Sequence, residues 1–152
     1  MTRAMVIGIG NTLRGDDAAG LVVADRLRDH VPEGVEVVGC DQEPVSLIDA
    51  WQDADAVVLV DAVVTGAEPG TVLRVDASDG LISPRAFRSS THAFGIGETI
   101  ELARALGKLP RRVIIYGIEG THFEARPMLT APVADAIEKV AESILAELGS
   151  AD

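Results

Sequence analysis

Residues 4–20 read AMVIGIGNTLRGDDAAG and join a short apolar run to a glycine-flanked loop and two adjacent carboxylates. The apolar run at 4–9 is typical of a strand that is buried on both faces of a parallel sheet. After the loop, apolar residues recur at helical spacing up to Val31, and Pro32 follows directly. The stretch therefore predicts a strand, a loop and a helix that begins at residue 17 or 18 and ends near Val31.

The rest of the chain repeats this alternation of strand and helix patterns. Further strands are predicted at 35–39, 56–60, 71–75 and 112–118, and further helices at 44–51, 94–106 and 130–148. Gly107 and Gly149 are predicted to end the last two helices, and the strand at 71–75 alternates as an exposed or edge strand does. The pattern predicts an α/β fold, a three-layer sandwich in which a mostly parallel, twisted sheet of about five strands is flanked by helices on both faces.

Length, composition and charge limit the domain count and the kinds of partner. A chain of 152 residues with 47% hydrophobic content is long enough for one buried core and short for two, so residues 1–152 are predicted to form a single domain. The net charge of −11 opposes binding to nucleic acid or to anionic membranes. Because there is no apolar stretch of about 18 residues and no signal-peptide core, we expect a soluble, cytoplasmic protein.

The glycine-flanked loop at 8–20 could bind either a phosphate or a cation. A dinucleotide-binding fingerprint needs a third glycine where this chain has Leu13. Asp16 and Asp17 stand at the start of the predicted helix, where negative charge repels a phosphate and attracts a metal ion. Either aspartate could instead cap a helix by accepting backbone N–H groups, and for Asp16 that structural role stays open beside a chemical one. The loop is interpreted as a cation site.

Two more polar residues are expected at the same edge of the sheet. Asp61 follows the most apolar run of the chain, where an ionised carboxylate needs a partner, and His92 lies in a polar loop before a predicted helix. Either residue alone could be structural. Ligands in such folds bind beside the carboxyl ends of the strands, and two carboxylates with one imidazole suit a borderline divalent metal ion. One aspartate of the pair Asp16 and Asp17 is therefore expected to form a metal site together with Asp61 and His92.

Three other residues receive mainly structural interpretations. His30 is expected at the end of the first helix, where its charge would complement the helix dipole. His122 follows the last predicted strand and could contact a substrate or lie behind the metal ligands. Cys40, the single cysteine, could act as a nucleophile only beside a base such as His92, and a small half-buried role is favoured.

Four collinear segments carry a resemblance to a known family. They read GIGNTLRGDDAAGLVVADRL at 8–27, LVDAV at 59–63, THAFGIGETIELARALGKLP at 91–110 and VIIYGIEG at 113–120. Together they resemble the nickel-iron hydrogenase maturation proteases, the endopeptidases that remove a C-terminal extension from the hydrogenase large subunit. The resemblance covers residues 4–148 and implies an α/β fold and a peptidase activity.

The resemblance also implies what the site residues contact. Asp17, Asp61 and His92 would engage nickel that is already inserted in the large-subunit precursor, so that no permanently bound metal or other cofactor is expected. They would act in catalysis either as ligands of nickel that polarises the scissile carbonyl or a bound water, or with one carboxylate as general base. The expected partner is the precursor, and the protein is expected to act as a monomer.

The sequence departs from the family pattern at two places, and other functions than a maturation protease stay open. Asp17 stands where many relatives have glutamate, and the segment CDQEP at 40–44 replaces a glycine-rich turn and is expected to contact the substrate. A stand-alone metallohydrolase with its own zinc or manganese at Asp17, Asp61 and His92 is the main alternative. A non-enzymatic nucleotide-binding module and a chaperone for the precursor tail are the others.

Overall fold

The structure of the protein is a computed structural model, which describes residues 3–11, 15–41, 43–78, 96–121, 123 and 128–149. The elements in this part of the chain are β1 (Ala4–Ile9), a 3-10 helix (Gly15–Ala18), α1 (Ala19–Leu27), β2 (Glu36–Cys40), α2 (Pro44–Ala50), β3 (Ala56–Val63), β4 (Val72–Asp76), α3 (Ile96–Ala105), β5 (Arg112–Glu119) and α4 (Ala131–Gly149). None of the helices among these residues is long and apolar enough to cross a membrane.

The strands of the described residues form one five-stranded sheet with the order β2-β1-β3-β5-β4. Four of them are parallel, and β4 lies antiparallel to β5 at the edge. Strands β1, β3 and β5 are buried along almost their whole length, which is why their sequences are continuous apolar runs. The alternating sequence of β4 matches its place at the edge, as predicted.

Helices cover both faces of the sheet, and a hydrophobic core forms on each side. The odd-numbered apolar residues of β3, from Val57 to Val63, belong to one core together with α2 and α3. The even-numbered residues, from Val58 to Ala62, belong to the other core together with α1 and α4. This arrangement confirms the predicted three-layer α/β sandwich. Because side chains alternate along a strand, Asp61 lies on the face covered by α2 and α3.

Two helix ends differ from the prediction. α1 ends at Leu27 rather than near Val31, because residues 28–30 leave the helix in a turn in which the N–H of His30 donates to the Leu27 carbonyl oxygen at 2.9 Å. His30 therefore lies exposed beyond α1 rather than at its end. Gly149 is the last residue of α4 and does not cap it, since its backbone does not take the positive φ of such a cap.

The end of α3 follows the prediction and orients the helix. Gly107 has a φ of 71°, and the N–H of Lys108 donates to the carbonyl oxygen of Ala103 at 2.9 Å, the pattern of a glycine-terminated helix. Near this end, Arg104 donates to the carbonyl oxygen of Ala77 at 3.0 Å, which lies at the amino edge of the sheet beside the start of β5. Since a helix rises about 1.5 Å per residue, the first turn of α3 lies roughly 12 Å from these contacts.

Candidate active site

Asp17 and Asp61 are buried carboxylates near the carboxyl ends of neighbouring parallel strands. Asp17 lies in the 3-10 helix after β1 and is 0% exposed, and Asp61 lies in β3 and is 2% exposed. The expectation that β3 ends at Asp61 is wrong, because Ala62 and Val63 continue the pairing with β5. Strand pairing on both sides of Asp61 fixes its backbone more firmly than a loop would.

Gly20 brings the start of α1 directly onto the two strands. A Cβ atom on Gly20 would lie 2.3 Å from the carbonyl oxygen of Val60 and 2.4 Å from that of Ile9, so only glycine fits. Gly8 faces it in the same way, because a Cβ there would lie 2.1 Å from the Gly20 carbonyl oxygen. Val60 directly precedes Asp61, and Asp17 lies one helical turn before Gly20. These glycines therefore bring a helix close to a sheet.

The turn that carries Asp17 is attached to the residues after β1, which are themselves bonded to the end of β2. The N–H of Asn11 donates to the main-chain carbonyl oxygen of Asp17 at 3.1 Å, and the N–H of Gly10 donates to the carbonyl oxygen of Cys40 at 3.1 Å. A Cβ atom on Gly10 would lie 2.0 Å from the Asp17 carbonyl oxygen. The path of the backbone at Asp17 is therefore set by its neighbours rather than by the loop alone.

The structural role left open for Asp16 is the one that the structure shows. Its side chain is 0% exposed and accepts the N–H groups of Thr121 and Thr130, each at 2.8 Å. Thr130 immediately precedes α4, so Asp16 stabilises the start of that helix and not of α1. The N-cap of α1 is Ala18, which makes no side-chain capping bond.

The surroundings of Asp17 and Asp61 suit a positive ligand. Among the described residues, Oδ2 of Asp17 and Oδ1 of Asp61 are buried oxygen atoms that accept no hydrogen bond, while both residues are engaged in other polar or electrostatic interactions. The strand register sets Gly117 of β5 beside Asp61, so this neighbour contributes no side chain. Carboxylate oxygens are common ligands of divalent metal ions, and the residue types therefore agree with the predicted cation site.

The third predicted ligand, His92, lies outside the described residues, as does His122. No cluster of three metal-ligating side chains occurs within the described residues, so the ligand set stays a prediction. The first residue of α3, Ile96, is 5% exposed and belongs to the core on the Asp61 face of the sheet. The described residue that comes next after His92 in the sequence therefore lies on that face.

Sequence analysis missed Glu119, a buried carboxylate at the end of β5. Its side chain is 3% exposed, and its two oxygens accept the N–H of Thr65 at 3.0 Å, the Thr65 hydroxyl at 2.6 Å and the N–H of Gly66 at 3.3 Å. It thereby ties the loop after β3 to the end of β5. The missed signal was a carboxylate after an apolar strand, the same feature that identified Asp61.

Cys40 is the last residue of β2 and is partly buried. Burial, followed by the negative charge of Asp41, raises the pKa of its thiol above the usual value. A raised pKa disfavours the thiolate, which is the nucleophilic form. The electrostatics of Cys40 therefore agree with the structural interpretation and not with a nucleophile.

A groove of about 860 Å³ lies at the opposite, amino edge of the sheet. Its lining includes Arg3 and Asp55, which precede β1 and β3, and Arg112, which begins β5. Acidic and basic side chains alternate there, and the groove does not include Asp17 or Asp61. The candidate site is therefore marked by its buried carboxylates and not by this groove.

Comparison with known proteins identifies the family. Residues 22–147 match the family model described as hydrogenase maturation protease. The chain belongs to this family. A relative, the hydrogenase expression/formation protein HupD of Thiocapsa roseopersicina, is 30% identical over 152 residues that cover 95% of this chain and 68% of the relative.

Solved structures of hydrogenase maturation proteases share the fold. The E. coli hydrogenase maturating endopeptidase HybD matches with a TM-score of 0.83 at 24% identity, covering 99% of this chain and 94% of that one. The NiFe hydrogenase maturation protease HycI from Thermococcus kodakarensis matches with a TM-score of 0.75 at 27% identity, covering 98% and 94%. The family resemblance, the α/β fold and the assignment as a peptidase are thus confirmed, and a non-enzymatic nucleotide-binding module is set aside.

Proposed function

We propose that the protein is an endopeptidase that removes the C-terminal extension of a nickel-iron hydrogenase large-subunit precursor after nickel insertion, and that it does so as a monomer in the cytoplasm. The observation that carries the proposal is the pair of buried carboxylates, Asp17 and Asp61, on a turn and a strand that Gly20 holds in contact. Family membership supports the reaction class, and the carboxylate pair supports the proposed location of the reaction.

Charge explains why such a site would need nickel from the substrate. Two carboxylates shielded from water carry negative charge that is costly to bury without compensation. A divalent ion within the precursor would compensate this charge, with Asp17, Asp61 and His92 as its contacts on the protease. Because the ion is part of the substrate, a precursor without nickel would leave the site incomplete.

The same arrangement supports hydrolysis of a peptide bond. Nickel in the precursor would polarise the scissile carbonyl or a water molecule bound to the ion. A carboxylate beside that water would accept its proton as a general base. The backbone at Asp61, which pairs with Gly117 of β5 within the sheet, would hold the group in place during the reaction.

The test is a processing assay with an extended large-subunit precursor from the same genome, prepared with and without nickel. We expect intact-mass measurement to show loss of the C-terminal extension from the loaded precursor only. An unchanged mass for the loaded precursor would contradict the proposed function. Equal cleavage of both precursors would retain the protease assignment and contradict recognition through nickel.

Variants of the proposed contacts test the residues. Asp17→Asn, Asp61→Asn and His92→Ala should each keep the circular dichroism spectrum of the wild type and lose processing of the loaded precursor. Asp49→Asn, on an exposed position of α2, is the matched control and should process normally. Normal cleavage by Asp61→Asn and His92→Ala would show that these residues are not the site.

Metal analysis separates this proposal from a stand-alone metallohydrolase. Purified protein without precursor should contain far less than one equivalent of metal, because the ion belongs to the substrate. One equivalent of zinc or manganese, lost in Asp17→Asn and Asp61→Asn but kept in Asp49→Asn, would favour the metallohydrolase instead.

A further inference from the structure

Asp16 makes contacts that connect three distant parts of the chain. Oδ1 accepts the N–H and the hydroxyl of Thr130 at 2.8 and 3.0 Å, and Oδ2 accepts the N–H of Thr121 at 2.8 Å. Oδ2 also lies 3.0 Å from the Thr130 hydroxyl and 3.4 Å from the Thr121 hydroxyl. One buried carboxylate thus joins the 3-10 helix to the segment after β5 and to the residue before α4.

The start of α4 provides further compensation for the charge of Asp16. Thr130 behaves as the N-cap of α4, because its carbonyl oxygen accepts the N–H of Ala134 at 2.9 Å. The helix that follows has 19 residues, and its N-terminal end carries a partial positive charge. Asp16 therefore resides in a site that stabilises its ionised form without a metal ion.

The same contacts argue against Asp16 as a ligand of the substrate's nickel. Each of its oxygens already accepts a backbone N–H at 2.8 Å and at least one hydroxyl. A metal ion would have to displace these donors from a carboxylate that is itself 0% exposed. Of the two adjacent aspartates, only Asp17 therefore remains as a candidate ligand.

We infer that Asp16 is a positioning residue that fixes the direction of the Asp17 side chain towards the Asp61 strand. The two residues are consecutive in a 3-10 helix, where side chains are spaced about 120° apart because there are about three residues per turn. Anchoring Asp16 towards Thr121 and Thr130 therefore sets the direction in which Asp17 leaves the turn. This inference rests on the proposed function, in which Asp17 contacts the substrate's nickel.

Gly120 shows how closely this anchor is packed. A Cβ atom on Gly120 would lie 2.9 Å from Cβ of Asp16 and 2.8 Å from the ring of Phe123. The anchor therefore has little room to shift sideways. We therefore expect a change in the hydrogen-bonding groups at Asp16 to shift the turn itself, and Asp17 with it.

The first test is Asp16→Asn, which is nearly isosteric. An asparagine has one acceptor oxygen, and its amide group would face a donor N–H of Thr121 or Thr130. We expect kcat for the loaded precursor to fall by about tenfold or more, because small misplacements of catalytic groups are costly. The KM should change by less than about twofold, since contacts with the rest of the precursor are kept.

A pair of Thr130 variants provides a graded control. Thr130→Ser keeps both the N–H and the hydroxyl and should process within about twofold of the wild type. Thr130→Val removes only the hydroxyl and should lower kcat by a few-fold, about 2 to 5. If Asp16→Asn fails to fold, these two variants still test the inference, and equal rates for them would contradict it.

Two readouts separate positioning from a general loss of stability. Assays are repeated in trimethylamine N-oxide, which stabilises the folded state, and the kcat defect of Asp16→Asn should persist there. Without precursor, the backbone amide resonances of residues 15–19 should shift in Asp16→Asn and stay in place in Thr130→Ser. Recovery of kcat in the osmolyte, or unshifted resonances, would overturn the inference.

Failure of the inference differs from failure of the proposed function. If the wild type cleaves the loaded precursor and Asp16→Asn cleaves it equally fast, the positioning role is wrong and the proposed function stands. If the wild type does not cleave, the proposed function is wrong, and the resonance shifts alone decide whether Asp16 orients the turn.

Discussion

An ideal Cβ atom on Gly20 would lie 2.3 Å from the main-chain carbonyl oxygen of Val60. The helix that begins beside the Asp17 turn therefore touches the strand that carries Asp61 with no side chain between them. Both contact atoms belong to the backbone of central elements, so neither can move aside. The relationship makes the distance between the two carboxylates a property of the fold and not of a flexible loop.

Gly20→Ala should destabilise the protein, because the new methyl group overlaps with the carbonyl oxygens of both Val60 and Ile9. We expect the free energy of unfolding to fall by about 3 kcal/mol, at the upper end for overpacking. Urea unfolding measures it. Gly149→Ala is the control, since nothing lies within 4 Å of a Cβ there, and it should change stability by less than about 0.5 kcal/mol. Equal stability of the two variants would contradict the close contact.

Glu119→Gln should lower the free energy of unfolding without changing the structure of the turn that carries Asp17. The carboxylate accepts two backbone N–H groups and the Thr65 hydroxyl, and a glutamine amide would face one of these donors. The expected loss in the free energy of unfolding is about 1 to 3 kcal/mol. Thermal and urea unfolding provide the measurement, with the exposed substitution Glu138→Gln as control. A loss of stability no larger than that of the control would show that the hydrogen bonds between Glu119 and the loop after β3 contribute little to stability.

Asp61→Asn should have the opposite effect on stability. It replaces a carboxyl group that is 2% exposed by a neutral amide of the same shape, which retains one acceptor oxygen. Because functional sites often cost stability, we expect the free energy of unfolding at pH 7 to rise by about 1 kcal/mol. Urea unfolding without precursor measures the change against Asp49→Asn. A decrease would show that the Asp61 charge stabilises the fold.

Cys40 should react slowly with iodoacetamide. Burial and the Asp41 charge raise the pKa of its thiol, so at pH 8 a smaller fraction is thiolate than for a free cysteine. The alkylation rate should rise with pH, with a midpoint above that of free cysteine. Asp41→Asn should move the midpoint to lower pH, and Cys40→Ala should retain processing. Fast alkylation at pH 8, or loss of processing in Cys40→Ala, would restore the nucleophile hypothesis.

Most of the fold could be predicted because the central strands have an easily recognised sequence pattern. Strands β1, β3 and β5 are covered on both faces, which requires nearly continuous apolar sequence. The end of β3 was placed too early because a carboxylate normally marks the end of such a run. Here Asp61 is followed by Ala62 and Val63, which pair with β5 and extend the strand by two residues.

The candidate site could be predicted only in part. The position of Asp17 and Asp61 at the same edge of the sheet follows from local patterns together with the topology of parallel sheets. The hydrogen-bond partners of Asp16 could not be predicted, since Thr121 and Thr130 lie 105 and 114 residues further along the chain. Local sequence patterns do not indicate contacts between residues so far apart in the chain. The hydrogen bonds between Glu119 and Thr65 could not be predicted for the same reason.

The hydrogen bond from the Thr130 N–H to Asp16 has a consequence for protein synthesis. It joins the 3-10 helix to the beginning of α4, so it can form only after Thr130 has left the ribosome. Domains generally complete such distant pairings late. A nascent chain therefore lacks this contact until residue 130 has emerged, and the carboxylate of Asp16 lacks its Thr130 donors until then.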